Sequence, residues 1–224
     1  MAGRGNSSFI KGHLKTKMTK LIVLANSWRP GGRCVAGICP NTGEWMRPIS
    51  RSKERAIPEI PEVTNLKLLD VVDIPFSGQR PKPVDKYQIE NEYVDVFKWE
   101  KVGIAKVRHL QSYVQNTGML FYSKNDRVSP NVLDNLHVKK WNSLQLIRVN
   151  VTFSQDHYNP NGWRAIFADG VGNTLDLKVT DPVATDSLNK SKNLNGKCLL
   201  TISLGGVWEF NHKCYKLVAG VIKL

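Results

Sequence analysis

The hydrophobic residues near the start of the chain fall into three short runs, each too brief for a helix. These runs are Leu21–Ala25, Cys34–Ile38 and Trp45–Ile49, and polar turns that contain proline and glycine separate them. Short apolar runs with such turns between them are typical of antiparallel strands. We therefore predict a three-stranded meander over residues 21–51.

The rest of the chain continues this pattern and adds one helix to each half. Asp181 and Pro182 mark the start of the later helix, because a carboxylate caps free N–H groups and proline fits the first helical position. A short helix after Glu62 is predicted in the first half. Both halves then show the order strand–strand–strand–helix–strand–strand, which is that of the oligonucleotide/oligosaccharide-binding (OB) barrel. The remaining predicted strands cover residues 68–76, 102–107, 144–153, 163–168, 174–179, 197–204 and 215–222.

The fold that this order predicts is all-β with minor helix, built as two OB-like five-stranded Greek-key barrels in tandem. We expect the first barrel over residues 18–115, a connector over 116–141 and the second barrel over 142–224. Residues 1–17 hold four basic side chains and no acidic one, and Met18 is a suitable start. We interpret this segment as a disordered basic extension, or as an artefact of cloning or of a misassigned start.

The charge of the chain favours a polyanionic partner. Its 224 residues include 32 Lys and Arg against 19 Asp and Glu, which gives a net charge of +13. Such a balance points to DNA or RNA, or less often to an acidic protein or a membrane surface. No apolar run is long enough to span a bilayer and no signal-peptide pattern occurs, so we expect a cytoplasmic protein without membrane association.

Metal and catalytic motifs are absent from the sequence. The four cysteines show no CxxC spacing and the five histidines are scattered, so we expect free thiols and no metal site. No HExxH, GxSxG or HxE…CxxC pattern is present. We therefore predict no catalytic residue and no cofactor, and a nuclease or nucleotide hydrolase has no support in the sequence.

The predicted meander combines flat aromatic rings with guanidinium groups around a glycine-rich turn. Rings of this kind stack on bases and arginines neutralise phosphates. For Trp45 alone a place in the core is the favoured interpretation, and Arg47 has the alternative of pairing with an acid such as Asp70 or Asp73. The candidate binding residues here are Asn26, Ser27, Trp28, Arg29, Arg33, Trp45, Arg47 and Arg51.

Two further groups of residues are candidates for ligand contact. Gln88 and Asn91 offer donors and acceptors beside aromatic residues, which suits the reading of base edges, although a solvated loop also explains them. Tyr158, Trp163 and Arg164 flank a loop of the second half, where OB folds present binding residues. A barrel-closing ring and a surface charge are the alternative for these three.

Several of these segments resemble the dual OB-containing domain family. The likeness lies in LANSWRPGGRCVAG, GEWMRP, LLDVVDIPF followed by QIEN, and the terminal YKLVAGVI, in that order between Met18 and Leu224. The resemblance implies two OB-like barrels and binding of nucleic acid or nucleotide, often beside prokaryotic defence or nucleic-acid-processing machinery. It implies no established catalytic residues.

We therefore expect a non-catalytic binding module for single-stranded DNA or RNA, held in a basic, aromatic groove centred on the first barrel. One alternative is a sensor that clamps a free nucleotide or modified nucleoside in the loop over residues 26–33. Another is a protein–protein adaptor, with a protein partner in a larger system and a basic surface that only aids solubility.

Overall fold

A computed structural model of the protein describes residues 17–82, 86–95, 97–115 and 118–224. Strands dominate this part of the chain and form two six-stranded sheets. The predicted all-β class with two tandem OB-like barrels is confirmed. The predicted basic extension lies outside the described residues except for Lys17, which begins the first strand.

The first three strands of the first barrel coincide with the three apolar runs that the sequence shows. Its long first strand is antiparallel to both the second strand and the fourth. A short helix that starts with Pro61 connects the third and fourth strands. The elements are β1 (Lys17–Arg29), β2 (Gly32–Ile38), β3 (Trp45–Ile49), α1 (Pro61–Thr64), β4 (Asp70–Phe76), β5 (Asn91–Tyr93) and β6 (Glu100–Ile104).

The strand that closes the first barrel is β5, which the sequence pattern did not indicate. β5 runs parallel to β3, with Arg47 opposite Asn91, and an isolated bridge between Phe76 and Val94 joins it to the end of β4. The predicted fifth strand over 102–107 corresponds to β6, which instead extends the sheet beyond β4. β5 is short and polar, and its pairing is formed by residues distant in sequence, so local alternation does not reveal it.

The second barrel repeats this order more regularly. Its first three strands form an antiparallel meander, and a helix capped by the Asp181 side chain leads into the fourth strand. The fifth strand pairs parallel with the third, Lys178 opposite Leu217, and so closes the barrel. The elements are β7 (Arg127–Val128), α2 (Pro130–Asp134), β8 (Leu144–Asp156), β9 (Asn159–Ala168), β10 (Thr174–Val179), α3 (Pro182–Asn189), β11 (Gly196–Trp208) and β12 (Lys213–Lys223).

The segment predicted as a connector is partly built into the second sheet. β7 pairs with β12, with Val128 opposite Cys214, and short 3₁₀ helices occupy Val107–Tyr113, Leu120–Tyr122 and Val138–Lys140. The predicted domain boundaries stay a prediction.

Each barrel has its own apolar core, and a further apolar layer joins the two barrels. Ile22, Leu24 and Ile38 on the outer face of β1 and β2 pack with Leu146 and Leu199 of the second barrel. Half-buried Trp45 on β3 packs against the same layer. This inter-barrel interface therefore covers the outer face of the first three strands of the first barrel.

One glycine shows how closely the two barrels approach each other. A Cβ atom added to Gly220 of β12 would lie 2.1 Å from the carbonyl oxygen of Leu24 in β1. No real Cβ contact is that short, so the close approach of these two strands requires glycine at this position.

Candidate nucleic-acid interface

Arg47, predicted as a phosphate contact, lies in the inter-barrel interface and is 1 % exposed. Its Nη1 donates to Asn91 Oδ1 at 3.1 Å, and its Nη2 donates to the hydroxyls of Ser143 at 2.9 Å and Ser203 at 3.3 Å. The carboxylate of Glu90 lies 3.6 Å from the same Nη2. The expected solvent exposure of Arg47 is therefore wrong, because the second barrel covers β3, and we leave Arg47 out of the candidate interface. Its acidic neighbour is Glu90 rather than Asp70 or Asp73.

The other polar candidates near this interface also make internal contacts. Gln88 Nε2 donates to the carbonyl oxygen of Leu204 in the second barrel at 3.1 Å, and Asn91 is 1 % exposed. The side chain of Asn26 is buried and donates to the carbonyl oxygens of Val63 at 2.8 Å and Leu66 at 3.2 Å. These amides hold α1 and the two barrels in place.

Ser27 is likewise buried, and together with Arg47 and Gln88 it lines a small cleft beside the β1–β2 turn. Trp45 is half-buried within the apolar layer, which matches the core interpretation given for it above. Four of the candidate binding residues are thus buried: Asn26, Ser27 and Arg47 in the meander and Asn91 in β5.

Arg51 is exposed and Arg33 is half-buried, and both are paired with carboxylates. Arg33 Nε lies 2.8 Å from Glu59 Oε1, and Arg51 hydrogen-bonds both oxygens of Asp95. The hydrogen bond from Arg51 lowers the pKa of Asp95. The Arg51 guanidinium also lies 4.4 Å from the centre of the Tyr93 ring. Both charges are therefore largely neutralised by near neighbours.

The turn between β1 and β2 reaches the second barrel. Gly31 and Gly32 have φ angles of +82° and +145°, and a Cβ on Gly32 would lie 2.2 Å from the carbonyl oxygen of Ile57, so glycine is required for this turn. The backbone N–H of Trp28 donates to the carbonyl oxygen of Thr180 at 3.1 Å. The Trp28 side chain remains 53 % exposed.

Two clefts flank this turn and combine residues of both barrels. The larger, of about 270 Å³, lies between the turn, the end of β10 and the start of β9. The smaller, of about 190 Å³, faces the hairpin between β11 and β12. The turn residues Trp28, Arg29 and Pro30 line both clefts, joined by Asn159, Asn161, Gly162 and Lys178 in the first and by Gly205 and Gly206 in the second.

The outer face of β9 and β10 is open to solvent and carries basic side chains. Arg164 and Lys178 are directly opposite each other on the two strands. Arg164 Nε lies 2.6 Å from Asp176 Oδ1, whereas Lys178 is exposed. We call this surface, with Arg164, Asp176 and Lys178, the β9–β10 face.

Tyr158 and Trp163 occupy different surroundings near this face. Tyr158 lies in the turn before β9 and is 97 % exposed. Trp163 is half-buried against the second core, and its Nε1 donates to Asn189 Oδ1 of α3 at 2.7 Å. Tyr158 is thus available for stacking, while Trp163 anchors the helix to the barrel.

The sequence interpretation missed an aromatic hairpin formed by Trp208, Phe210 and Tyr215. The Trp208 ring lies 5.5 Å from the Phe210 ring and 5.3 Å from the Tyr215 ring, in edge-to-face geometry. Phe210 is 87 % exposed and Trp208 51 % exposed. The sequence did contain a signal for this hairpin, because Trp208 and Phe210 are large rings between two predicted strands. Large rings at an exposed hairpin tip add nothing to core packing, so they indicate an interaction surface.

A broad cleft connects the aromatic hairpin to the β9–β10 face. The guanidinium of Arg127 lies 5.0 Å from the centre of the Tyr215 ring, and Arg127 Nη1 donates to the Tyr215 hydroxyl at 3.0 Å. Arg127, which pairs with Asp126 at 2.7 Å, then lines a cleft of about 580 Å³ together with Asp126, Lys124, Arg164 and Asp176. Exposed rings, basic groups and their acidic partners therefore lie along one side of the second barrel.

The sequence from residue 19 to residue 221 matches the dual OB-containing domain family. The chain belongs to this family. Among solved structures, the dual OB protein is similar to the one titled "Crystal structure of the tetrameric p202 HIN2", with a TM-score of 0.33 and 9 % identity over 94 % of each chain. A likeness of this degree carries no argument about function. No curated protein matches the sequence.

Within the described ranges of this dual OB protein, no three or more His, Cys, Asp or Glu side chains are grouped so that they could hold a metal ion. None of the helices in the same ranges has the length and apolar content that a bilayer span requires.

The charge beside the β1–β2 turn is set by Asp181, the capping residue of α3. Burial raises the pKa of this carboxyl, while hydrogen bonds from the N–H groups of Ala184, Val221 and Val183 and the charge of Arg33 act in the opposite direction. Both carboxylate oxygens accept backbone hydrogen bonds, so this side chain holds the start of α3 beside β12.

Proposed function

We propose that this dual OB protein is a nucleic-acid-binding module without catalytic activity, and that it holds single-stranded DNA or RNA along the second barrel. One observation carries the proposal: the β9–β10 face is open, exposes Lys178 and continues into exposed rings, whereas the corresponding face of the first barrel is covered. The proposed groove therefore lies on the second barrel, whereas the sequence analysis predicted it on the first.

The position of this surface suits an OB barrel. OB barrels bind oligonucleotides on the face of their second and third strands and on the loops after the first and fourth strands. In the second barrel these parts are β9 and β10, the turn with Tyr158 and the hairpin with Phe210. The first barrel adds its own β1–β2 turn, with Trp28 and Arg29, at the edge of this face.

The chemistry of the surface matches the two parts of a single strand. Rings at the hairpin can stack on bases, and each stacked base contributes roughly 1–3 kcal/mol. Basic side chains contact the phosphates, and the net charge of +13 attracts the strand from a distance. An accessory role beside defence or nucleic-acid-processing machinery, and any protein partner, stay predictions.

The test is titration of a fluorescently labelled single-stranded oligonucleotide at several salt concentrations. Binding should weaken steeply with salt, and Lys178→Glu should reduce the slope of log K against log salt by about 1. Lys53→Glu is the matched control, because it makes the same charge change at an exposed position of the first barrel. Equal effects of the two variants, or binding that ignores salt, would contradict the proposal.

A further inference from the structure

The cleft between the β1–β2 turn, the end of β10 and the start of β9 is positively charged. Among the described residues that line it, Arg29 and Lys178 are basic and none is acidic. On the neighbouring strand surface, by contrast, Arg164 pairs with Asp176. No ion pair of the described residues includes Arg29 or Lys178. The cleft therefore holds two cations that are available to an anionic ligand.

An exposed indole lies in the wall of the same cleft. Trp28 lines the cleft and keeps about half of its surface in solvent, while its backbone N–H donates to the carbonyl oxygen of Thr180 at 3.1 Å. Lys178 precedes Thr180 by two residues, which places their backbones about 7 Å apart along an extended chain. The first barrel thus provides a ring and the second barrel a cation within one small site.

The β1–β2 turn holds its exposed side chains on a backbone that is already ordered. Trp28 is opposite Arg33 and Arg29 is opposite Gly32 in the pairing of the two strands. The backbone of Arg33 in turn exchanges two hydrogen bonds with Ile57, at 2.8 and 2.9 Å. Binding groups on an ordered backbone lose little conformational freedom when a ligand arrives. The turn is therefore suited to be a rigid anchor.

We propose that this cleft binds one nucleotide of the single strand, with its base against the Trp28 indole and its phosphate at Arg29 and Lys178. Stacking on an indole accepts any base, and two unpaired cations complement the charge of the phosphate. The exposed Asn161 amide lies in the same wall and has both donors and an acceptor for a base edge. The inference rests on the proposed function and adds that the strand contacts both barrels.

The test is fluorescence anisotropy of a labelled single-stranded oligonucleotide with the whole protein. Trp28→Ala should weaken binding by about 5- to 150-fold, which corresponds to the loss of one stacked base. Trp28→Phe keeps a ring and should bind more tightly than the alanine variant. Unchanged affinity of Trp28→Ala would overturn the inference.

The phosphate contact is tested through the salt dependence of binding. Arg29→Gln should reduce the slope of log K against log salt by about 1, because one phosphate contact is lost. Arg108→Gln is the matched control, since it removes the same charge from an exposed position of the first barrel that lines neither cleft beside the turn. An equal change of slope in both variants would contradict a phosphate contact at Arg29.

A strand without bases separates stacking from charge. An oligonucleotide of the same length made of abasic sugar-phosphate units keeps the phosphates but offers nothing to stack on Trp28. Trp28→Ala should therefore leave the affinity for this strand unchanged, whereas Arg29→Gln should still reduce the salt slope. The same loss of affinity with both strands would show that Trp28 does not act by stacking.

The outcomes separate this cleft from the proposed function. The melting temperature of each variant is measured first, and Arg29→Gln decides if Trp28→Ala unfolds. Wild-type binding by Trp28→Ala and Arg29→Gln, together with weakened binding by Phe210→Ala, would overturn this inference and leave the proposed function in place. No binding of the oligonucleotide by the wild-type protein would overturn both.

Discussion

The two barrels have the same strand order but differ in what covers their second and third strands. In the first barrel, the outer faces of β1, β2 and β3 pack against the second barrel. In the second barrel, the outer face of β9 and β10 remains in solvent. The same strand order thus has its outer face buried between the barrels in the first barrel and exposed to solvent in the second.

Two basic residues on equivalent third strands illustrate this difference. Arg47 on β3 is 1 % exposed and hydrogen-bonded on both terminal nitrogens, while Lys178 on β10 is exposed. A buried charge must be paired to be tolerated, whereas an exposed one is free to exchange its counterions for a phosphate. The role of such a residue therefore depends on whether the other barrel covers its strand, and not on the residue type.

The largest expected effect comes from removing the buried charge of the first barrel. Arg47→Ala leaves the Glu90 carboxylate buried beside no cation, and loss of one partner of such a pair costs about 3–5 kcal/mol. Urea unfolding should show this loss directly. Arg51→Ala, which breaks the exposed pair with Asp95, should cost at most about 1 kcal/mol. Equal free energies of unfolding for the two variants would contradict the proposed difference between the two barrels.

The next effect tests the close approach of the barrels. Gly220→Ala pushes a methyl group against the carbonyl oxygen of Leu24, and overpacking of this kind costs about 1–3 kcal/mol. Gly206→Ala is the control, because a Cβ there meets no atom within 4 Å. The urea midpoint should fall for the first variant only, and oligonucleotide binding by its folded fraction should persist.

The aromatic hairpin provides a test on the open side of the comparison. Phe210→Ala should weaken binding of a single-stranded oligonucleotide by about 1–3 kcal/mol if the ring stacks on a base. Phe210→Leu keeps an apolar side chain but lacks the ring, so it should bind as weakly as the alanine variant. Full binding by the leucine variant, measured by fluorescence anisotropy, would show that stacking is not the basis.

A last effect is a pH dependence that comes from Lys216 of β12. Burial lowers the pKa of this lysine from 10.5 to about 8, and its Nζ donates to the carbonyl oxygen of Ser123. Between these two values the unfolded chain binds more protons than the folded protein, so stability rises with pH across this window and is flat below it. Melting temperatures from pH 7 to 10 should therefore increase for the wild-type protein relative to Lys216→Met. A constant difference would show that Lys216 keeps an ordinary pKa.

Much of the fold was accessible from local patterns. The glycine pair at residues 31–32 and the Asp181–Pro182 helix start act within a few residues, so their effects are visible in the sequence. The closing strand β5 was missed because its three residues are polar and pair with β3 more than 40 positions earlier. Short strands defined by distant partners have no strong local signature.

The candidate site was less accessible for a related reason. Binding by Trp28, Arg29, Tyr158 and Arg164 stays a prediction, and the structure brings the β1–β2 turn next to the start of β9. Arg47 and Asn91 were expected at the surface, but the second barrel buries them. Trp208 and Phe210 were not identified as candidates, because the sequence does not show whether an aromatic ring at the end of a strand is buried or exposed. Their exposure is visible only in the structure.

The sequence by itself determined the strand alternation, the turns, the helix caps and the basic charge, since each depends on residue type and close neighbours. Only the tertiary structure decided which barrel presents an open face. That choice depends on the contact between β1 and β12, whose residues lie nearly 200 positions apart, such as Leu24 and Gly220. Burial is a property of the assembled barrels, so no pattern within one strand contains it.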